Sequence, residues 1–279
     1  MSADEGYKQA LKLARAHYEN FPVVSFFLPK EIRKDIAIIY WFARTADDFA
    51  DEGTGGVRER ISLLDFFETR FNNLLNKEFQ NPLEMALFTT IKNRKLTDSY
   101  FLDLLSAFKQ DVKKNRYANF EEIMDYCRRS ANPVGRLILE LNGIKNDEAN
   151  QYSDKICTAL QLTNFYQDTI IDYRKGRIYY PEDEMKKFEV TEKVFEIKEN
   201  NYNFQQLLKH NVDRAQLMFD GGRNIFNYLK GKLKLEIKWT VKGGEEILKK
   251  IRNANYDVLT RRPELTKFDM IKLFFSSVK

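Results

Sequence analysis

The stretch DDFAD at residues 47–51 and the stretch DTIID at residues 168–172 lie in two distant parts of the chain, each within an apolar segment. Apolar residues recur there at helical spacing, and carboxylates four residues apart on a helix project from the same face. Burying such pairs without a positive partner would be costly or would force protonation. Because oxygen ligands in this number suit Mg²⁺, the pattern predicts two acidic helix faces with Mg²⁺ between them.

The rest of the 279-residue chain also has a helical pattern. Apolar positions recur at helical spacing, the chain has 12 Gly and 6 Pro, and no alternating strand pattern between tight turns is present. The sequence therefore predicts an all-α fold of roughly nine or ten helices. No shift in composition indicates a linker, so we expect a single domain over residues 1–279.

Composition excludes several classes of protein. The net charge of +5 arises from interspersed charges without a zinc-finger or basic-zipper pattern, which argues against nucleic acid as a partner. No Rossmann or Walker glycine motif is present, and His17 and His210 are the only histidines. Cys127 and Cys157 lie in apolar helical segments and indicate buried thiols in a reducing cytoplasm.

A helical wheel shows which side chains share the first acidic face. Arg44, Asp47, Asp48 and Asp51 fall within a sector of about 100°, whereas Phe49 points away from it. An acidic helix face is usually solvated, so this stripe alone leaves a purely structural interpretation open.

The second acidic face is similar in composition. On one continuous helix, Gln161, Asn164, Asp168 and Asp172 fall within about 80° of one another. Leu162, Tyr166 and Ile170 are left to pack elsewhere. Two such stripes, each carrying an arginine or amides beside its carboxylates, favour a binding site over two solvated faces.

A basic loop follows the second stripe. It contains Arg174, Gly176 and Arg177, and Pro181 then begins another helix. The arginine fork can bind two phosphate oxygens, and Gly176 allows the loop to fold over an anion. Phosphate binding is one interpretation of this loop, and an ordinary charged surface turn is the other.

Aromatic residues make up 14% of the chain and fall on the same helices as the acidic stripes. Most belong to the core. A subset would line a cavity, where ring faces stabilise a carbocation by roughly 0.5 to 2 kcal/mol each and exclude water.

Residues 40–52 and 162–181 resemble the two aspartate-rich signatures of the squalene and phytoene synthases. The resemblance runs in order over almost the whole chain. Within that family, residues 19–25, 126–136 and 254–263 are most similar to bacterial hydroxysqualene synthases.

The resemblance implies an all-α isoprenoid-synthase fold with a central cavity, in which facing aspartates bind Mg²⁺ and a prenyl diphosphate. The residues that it implies as metal ligands are Asp47, Asp51, Asn164, Asp168 and Asp172. Those implied in binding the diphosphate are Ser25, Arg44, Gln161, Asn164, Arg174, Arg177 and Arg261. Asp47, Asp48, Asp51, Asp168, Asp172 and Tyr126 are implied as the catalytic set.

One position departs from the family pattern. Many members carry a glutamate immediately before the last aspartate of the second motif, where this chain has Ile171. The wheel places Ile171 at the rim of the stripe, about 60° from Asp168, so we expect metal binding to survive without a carboxylate there.

The function implied is Mg²⁺-dependent conversion of presqualene diphosphate and water to hydroxysqualene and diphosphate. Two alternatives remain open. One is head-to-head condensation of two prenyl diphosphates, such as farnesyl diphosphate, to presqualene diphosphate, squalene or a phytoene-type product. The other is a non-catalytic scaffold of the same family.

Location follows from the absence of a long apolar run. The longest one, residues 36–43, is too short to span a membrane, so we expect a cytoplasmic protein. The amphipathic segment at residues 268–275 is expected to pack onto the domain, with peripheral contact at the inner membrane as the alternative. The sequence does not indicate an oligomeric state.

Overall fold

The computed structural model describes residues 1–16, 30–51 and 55–278. These residues are helical, with no strand among them, which confirms the all-α prediction. They form more helices than the nine or ten expected, partly because α9, α10 and α11 are only five or six residues long. The α-helices are α1 (Ala3–Ala16), α2 (Arg33–Asp51), α3 (Val57–Leu75), α4 (Pro82–Arg94), α5 (Ser99–Lys113), α6 (Phe120–Ser130), α7 (Asn132–Leu141), α8 (Asp147–Gln167), α9 (Thr169–Arg174), α10 (Glu182–Lys187), α11 (Lys193–Ile197), α12 (Tyr202–Gly222), α13 (Gly231–Asn253) and α14 (Lys267–Val278). Short 3-10 helices span Lys30–Ile32 and Arg223–Asn227.

The chain divides into two compact units. The first contains residues 1–113 and 133–146, and the second contains residues 114–132 and 147–279. The first acidic motif belongs to the first unit and the second acidic motif to the second unit. The single-domain organisation expected from composition stays a prediction.

In the first unit, α2 is held by an aromatic cluster. Phe42 is 1% exposed, and its ring centroid lies 5.1 Å from that of Phe67, 5.2 Å from that of Phe71 and 5.1 Å from that of Phe101. These rings come from α3 and α5. Aromatic pairs at such distances add to the burial of the rings, so one side of α2 is fixed and its acidic side is left uncovered by this cluster.

In the second unit, α8 packs along α12. Leu162 and Tyr166 of α8 are buried, as the helical wheel indicated, and the hydroxyl of Tyr166 donates to Oδ1 of Asn211 on α12 at 3.1 Å. Gly244 of α13 allows the ring of Phe219 to approach closely, because a Cβ at that position would lie 2.6 Å from the ring.

Two further expectations concern thiols and membrane spans. Cys127 and Cys157 are free thiols; Cys127 is buried, and Cys157 is partly exposed. Burial raises the pKa of Cys127 to about 12, so this thiol stays protonated. Among the described residues, no helix has both the length and the apolar character needed to cross a membrane.

Candidate active site

The first acidic motif is organised by an arginine on the same helix. Arg44 donates from Nη1 to Oδ2 of Asp47 at 3.2 Å, and its Nη2 lies 2.7 Å from Oδ1 of Asp48. These pairs are three and four residues apart, the spacing at which side chains on a helix meet. The carboxylates remain partly exposed, at 43% for Asp47 and 42% for Asp48, so they are accessible to a ligand.

The position of this motif within α2 is itself unfavourable. Asp48 and Asp51 lie in the last turn of α2, where the helix dipole disfavours negative charge, and this turn contains no basic residue. Arg60 donates to the carbonyl oxygen of Ala50 at 2.7 Å and so satisfies one group at the helix end. A bound cation would relieve the remaining concentration of negative charge.

One aromatic side chain lies within the motif and another precedes it. Phe49 packs edge-to-face on Phe67 with a centroid distance of 5.7 Å, and therefore points away from the acidic face as the wheel indicated. Burial raises the pKa of Tyr40, Arg44 lowers it, and Asp47 raises it again. Tyr40 is therefore a neutral hydroxyl at physiological pH.

The second motif interrupts its helix, and the prediction of one continuous helix was wrong. Helix α8 ends at Gln167, Asp168 adopts φ −99° and ψ 14°, and α9 starts at Thr169. The hydroxyl of Thr169 bonds back to the carbonyl oxygen of Tyr166 at 2.9 Å and also lies 2.8 Å from the hydroxyl of Tyr180. Thr163 bonds back in the same way without breaking α8, so the contact with Tyr180 is what distinguishes Thr169 at the interruption.

The polar face of α8 is present as expected. Gln161 and Asp168 are partly exposed, and Asn164 is exposed. Within the described parts of the chain, the side-chain amides of Gln161 and Asn164 make no hydrogen bond and are therefore available to a ligand. Ile171 is 41% exposed, in keeping with its expected place at the rim.

Asp168 has an arginine partner that the sequence did not single out. Nε of Arg262 donates to Oδ1 of Asp168, and Nη1 of Arg262 donates to Glu264 at 3.0 Å. Asp168 raises the pKa of Arg262, while burial opposes that effect. The adjacent backbone is held by Gln167, whose Nε2 donates to the carbonyl oxygen of Pro263 at 2.7 Å.

Arg261, the residue implied by the resemblance, is exposed. Its side chain makes no ion pair or hydrogen bond within the described ranges, so its part in diphosphate binding stays a prediction. The pair Arg261-Arg262 was the only signal in the sequence, and spacing does not tell which of two adjacent arginines turns toward Asp168.

Asp172 and Arg177 line a small cavity in the second unit. The cavity has a volume of about 10 Å³, close to the space of one water molecule, and Phe165 and Tyr179 also line it. The backbone N–H of Arg177 donates to the carbonyl oxygen of Asp172 at 2.9 Å. Gly176, at φ +81°, makes this return of the chain possible, as the glycine in the basic loop suggested. Arg174, predicted in the loop, is the last residue of α9 and is exposed.

Tyr126 belongs to an aromatic wall beside this cavity. It is 5% exposed, and its ring centroid lies 6.0 Å from that of Phe165 and 6.2 Å from that of Tyr179. The rings of Phe165 and Tyr179 stack at 3.6 Å, and Tyr117 stacks on Tyr179 at 5.6 Å. These rings therefore pack against one another, and the expected position of Tyr126 near a leaving group stays a prediction.

A network of polar side chains from α10 and α12 contacts the buried side of α8. Asn211, which accepts from Tyr166, donates to Oε2 of Glu184 at 3.1 Å. Arg214 is ion-paired with Glu184 and lies 2.6 Å from Nε2 of His210. Burial lowers the pKa of His210, and Arg214 lowers it further, so this imidazole is held neutral.

The structure does not locate Ser25, and it does not show a preformed acidic metal cluster in the described residues. Ser25, together with His17 and the matching segment at residues 19–25, lies outside the described residues. In the described part of the chain, no three or more His, Cys, Asp and Glu side chains form a cluster that could hold a metal ion by themselves.

Comparison with known proteins decides the family. The profile of the squalene/phytoene synthase family matches residues 14–269. The chain belongs to the squalene/phytoene synthase family. This confirms the resemblance seen in the two aspartate motifs.

Individual relatives are similar over most of their length. The hydroxysqualene synthase of Sinorhizobium fredii is 30% identical over 255 residues, which cover 91% of this chain and 85% of the relative. The 15-cis-phytoene synthase of Synechococcus elongatus is 26% identical over 273 residues, which cover 94% and 88%. The crystal structure of squalene synthase HpnC from Alicyclobacillus acidocaldarius superposes with a TM-score of 0.86 at 36% identity, covering 91% of this chain and 96% of that chain.

Proposed function

We propose that this chain is a hydroxysqualene synthase, which converts presqualene diphosphate and water to hydroxysqualene and diphosphate. One observation carries the proposal. Each aspartate motif contains partly exposed carboxylates that pair with an arginine. Arg44 pairs with Asp47 in α2, and Arg262 pairs with Asp168 after α8. The similarity to a hydroxysqualene synthase over 91% of the chain supports the same activity.

Magnesium fits the donor set of both motifs. The groups that would hold it are the oxygens of Asp47, Asp51, Asn164, Asp168 and Asp172. Mg²⁺ usually keeps several waters and binds through one or two carboxylates together with substrate phosphates. A cluster of three or more acidic ligands is therefore not required. When bound, Mg²⁺ would neutralise charge that develops on the departing diphosphate.

The residues of the chain would share the rest of the reaction. Arg44 and Arg262 would bind diphosphate oxygens as the carbon–oxygen bond breaks and its electron pair leaves with the diphosphate. Aromatic side chains would stabilise the carbocation and exclude water while it rearranges. Water then adds to the cation, one proton leaves, and the alcohol results.

A second candidate function is head-to-head condensation of two prenyl diphosphates. The 26% identity to a phytoene synthase over 94% of the chain supports this second function, because the same aspartates would serve both reactions. A non-catalytic scaffold is disfavoured on physical grounds. Negative charge concentrated at the carboxyl end of α2 costs stability, and a bound cation would offset that cost.

Substrate choice separates these candidates. Purified protein is incubated with Mg²⁺ and without a reductant, either with presqualene diphosphate or with farnesyl diphosphate alone. A hydroxysqualene synthase forms hydroxysqualene in the first reaction and leaves farnesyl diphosphate unchanged in the second. Consumption of farnesyl diphosphate would establish the condensing enzyme instead, and inertness toward both substrates would favour the scaffold.

Peripheral contact with a membrane is also part of this proposal. The substrate and the product carry long hydrocarbon chains, which partition into lipid. The exposed apolar side chains of α14, in the second unit, support this part of the proposal.

A further inference from the structure

Helix α14 is firmly attached to α13. Asp269 and Thr266 form a reciprocal cap at its start, with N–H···O distances of 2.8 and 3.1 Å. Nε1 of Trp239 on α13 donates to the carbonyl oxygen of Met270 at 3.2 Å, and the ring of Trp239 packs edge-to-face on Phe274 at 5.9 Å. The predicted packing of this segment onto the protein is therefore present.

The opposite side of α14 carries an apolar stripe. Four large apolar side chains are exposed there: Phe268 at 74%, Ile271 at 57%, Phe275 at 65% and Val278 at 62%. At about 100° per residue they fall within a sector of about 80°. We call these four residues the α14 stripe. Soluble surfaces rarely expose contiguous apolar residues in this way without an interaction partner.

Positive charge borders the α14 stripe. Lys272 lies about 40° from Phe268 on one side of the sector, and Lys267 lies about 20° beyond Val278 on the other. Both are exposed, and neither forms an ion pair with any residue that the structure describes. On α13, Lys242 donates to Oγ of Ser276 at 2.9 Å, and its pKa is lowered by burial and then by Lys238.

Further lysines are found on α13 and immediately before it. They too have no ion-pair partner among the described residues: Lys230, Lys232, Lys234 and Lys238. The α14 stripe is thus bordered on both sides by lysines of its own helix, and α13, which packs against it, carries further lysines.

We propose that α14 is a docking helix that lies flat on a bilayer containing anionic lipid. The α14 stripe enters the boundary between headgroups and acyl chains, and the flanking lysines meet the lipid phosphates. This is the arrangement of an interfacial helix, which has one apolar face bordered by basic residues and does not span the bilayer. The inference deepens the membrane contact proposed above, but it rests on the second unit alone and does not require the proposed catalytic activity.

A second copy of this chain fits the stripe less well. A two-fold interface would bring the lysine borders of two copies against each other, which is repulsive. In addition, four side chains fall short of the roughly 20–30 residues a side of a stable interface. Lipid phosphates, in contrast, complement the charge.

Vesicle flotation of the full chain tests the proposal. We expect binding to vesicles made of phosphatidylglycerol and phosphatidylcholine in equal parts to exceed binding to pure phosphatidylcholine by about tenfold or more at low salt. Binding should weaken as salt is added. Equal binding to both vesicle types, or no binding to either, would overturn the proposal.

Substitutions locate the contact. The triple variant Phe268→Ser, Ile271→Ser, Phe275→Ser should lose flotation, and Lys267→Glu with Lys272→Glu should lose the preference for phosphatidylglycerol. The matched apolar control is Leu217→Ser, on α12 and 71% exposed. The matched charge control is Lys8→Glu with Lys12→Glu, on the exposed side of α1. Both controls should bind as the unchanged protein does.

Further readouts separate the alternatives. Circular dichroism should show the triple variant folded, because the replaced side chains lie on the surface. Its turnover of presqualene diphosphate in detergent should be unchanged, so loss of docking is distinguishable from failure of the proposed function. Flotation that persists in the triple variant would refute the assignment, and a dimer in light scattering that the triple variant abolishes would assign the stripe to a second copy.

Discussion

The two aspartate motifs differ in how their charges are balanced. In α2, Arg44 meets Asp47 and Asp48 at three and four residues' distance on one helix. At the end of α8, Asp168 meets Arg262, which lies 94 residues later in the chain. The first arrangement forms with its helix, whereas the second requires a distant segment to be in place.

The supports beneath the motifs also differ. Near the first motif, α2 is held through Phe42 by an aromatic cluster without charges, whereas the ion pair of Asp35 with Arg94 lies at the other end of that helix. A hydrogen-bonded network with titratable groups holds α8 through Tyr166, Asn211 and Glu184. We therefore expect the second motif to respond to pH and to distant substitutions more than the first.

The largest effect should come from removing one carboxylate from either motif. Asp51→Asn and Asp168→Asn should each lower kcat by about a hundredfold or more, because each removes charge that holds the ion opposing the developing negative charge. Steady-state turnover of presqualene diphosphate measures this. Asp147→Asn, an exposed acid on α8, serves as the control and should keep full activity. Full activity in either test variant would mean that its motif is not part of the active site.

A smaller effect should distinguish the two adjacent arginines. Arg262→Ala should lower kcat/KM by about 10- to 100-fold, the size typical of groups that orient a ligand of the metal. Arg261→Ala, at an exposed side chain, should have less effect. The ratio of the two kcat/KM values is the measurement. Equal losses would show that the contact with Asp168 does not decide which arginine acts.

The free energy of unfolding should show whether the contact of Thr169 with Tyr180, at the break after α8, stabilises the protein. Thr169→Val removes the acceptor of the buried Tyr180 hydroxyl and should lower the free energy of unfolding by about 1–3 kcal/mol. Thr163→Val is the matched control, since its hydroxyl bonds back to Ala159 at 2.7 Å and meets no tyrosine. Urea unfolding compares the two variants. A cost at Thr163 equal to that at Thr169 would contradict this account of the break.

The smallest effect should be a pH dependence at His210. Because its pKa is lowered in the folded protein, the unfolded chain binds the proton more readily, and stability from this group is lost as pH falls from about 7 toward 5. Arg214 lowers this pKa as well, whereas Glu184 opposes the shift. His210→Gln should therefore lose less Tm on acidification than the unchanged protein. An identical acid-induced drop would show that His210 does not contribute.

Much of the first motif could be predicted from the sequence. The helical wheel placed Arg44 beside Asp47 and Asp48 and turned Phe49 away, because those relations depend only on helix geometry. The same reasoning separated the buried Leu162 from the polar face of α8.

The second motif could be predicted only in part. The interruption at Asp168 depends on a hydroxyl contact between Thr169 and Tyr180, and the partner of Asp168 depends on where residues 257–264 pack. Neither follows from local spacing. The sequence predicts that the segment forming α14 is amphipathic. Which of its faces is exposed depends on the packing of Phe274 against Trp239, which the sequence does not show.

The central claim is that this chain ionises presqualene diphosphate and captures the cation with water. The most direct test is turnover of presqualene diphosphate with Mg²⁺ in ¹⁸O-labelled water, followed by mass spectrometry of both products. The account predicts hydroxysqualene that carries the heavy oxygen, unlabelled diphosphate, and no turnover when Mg²⁺ is chelated. Unreacted substrate, or an alcohol with an unlabelled oxygen beside labelled phosphate, would contradict it.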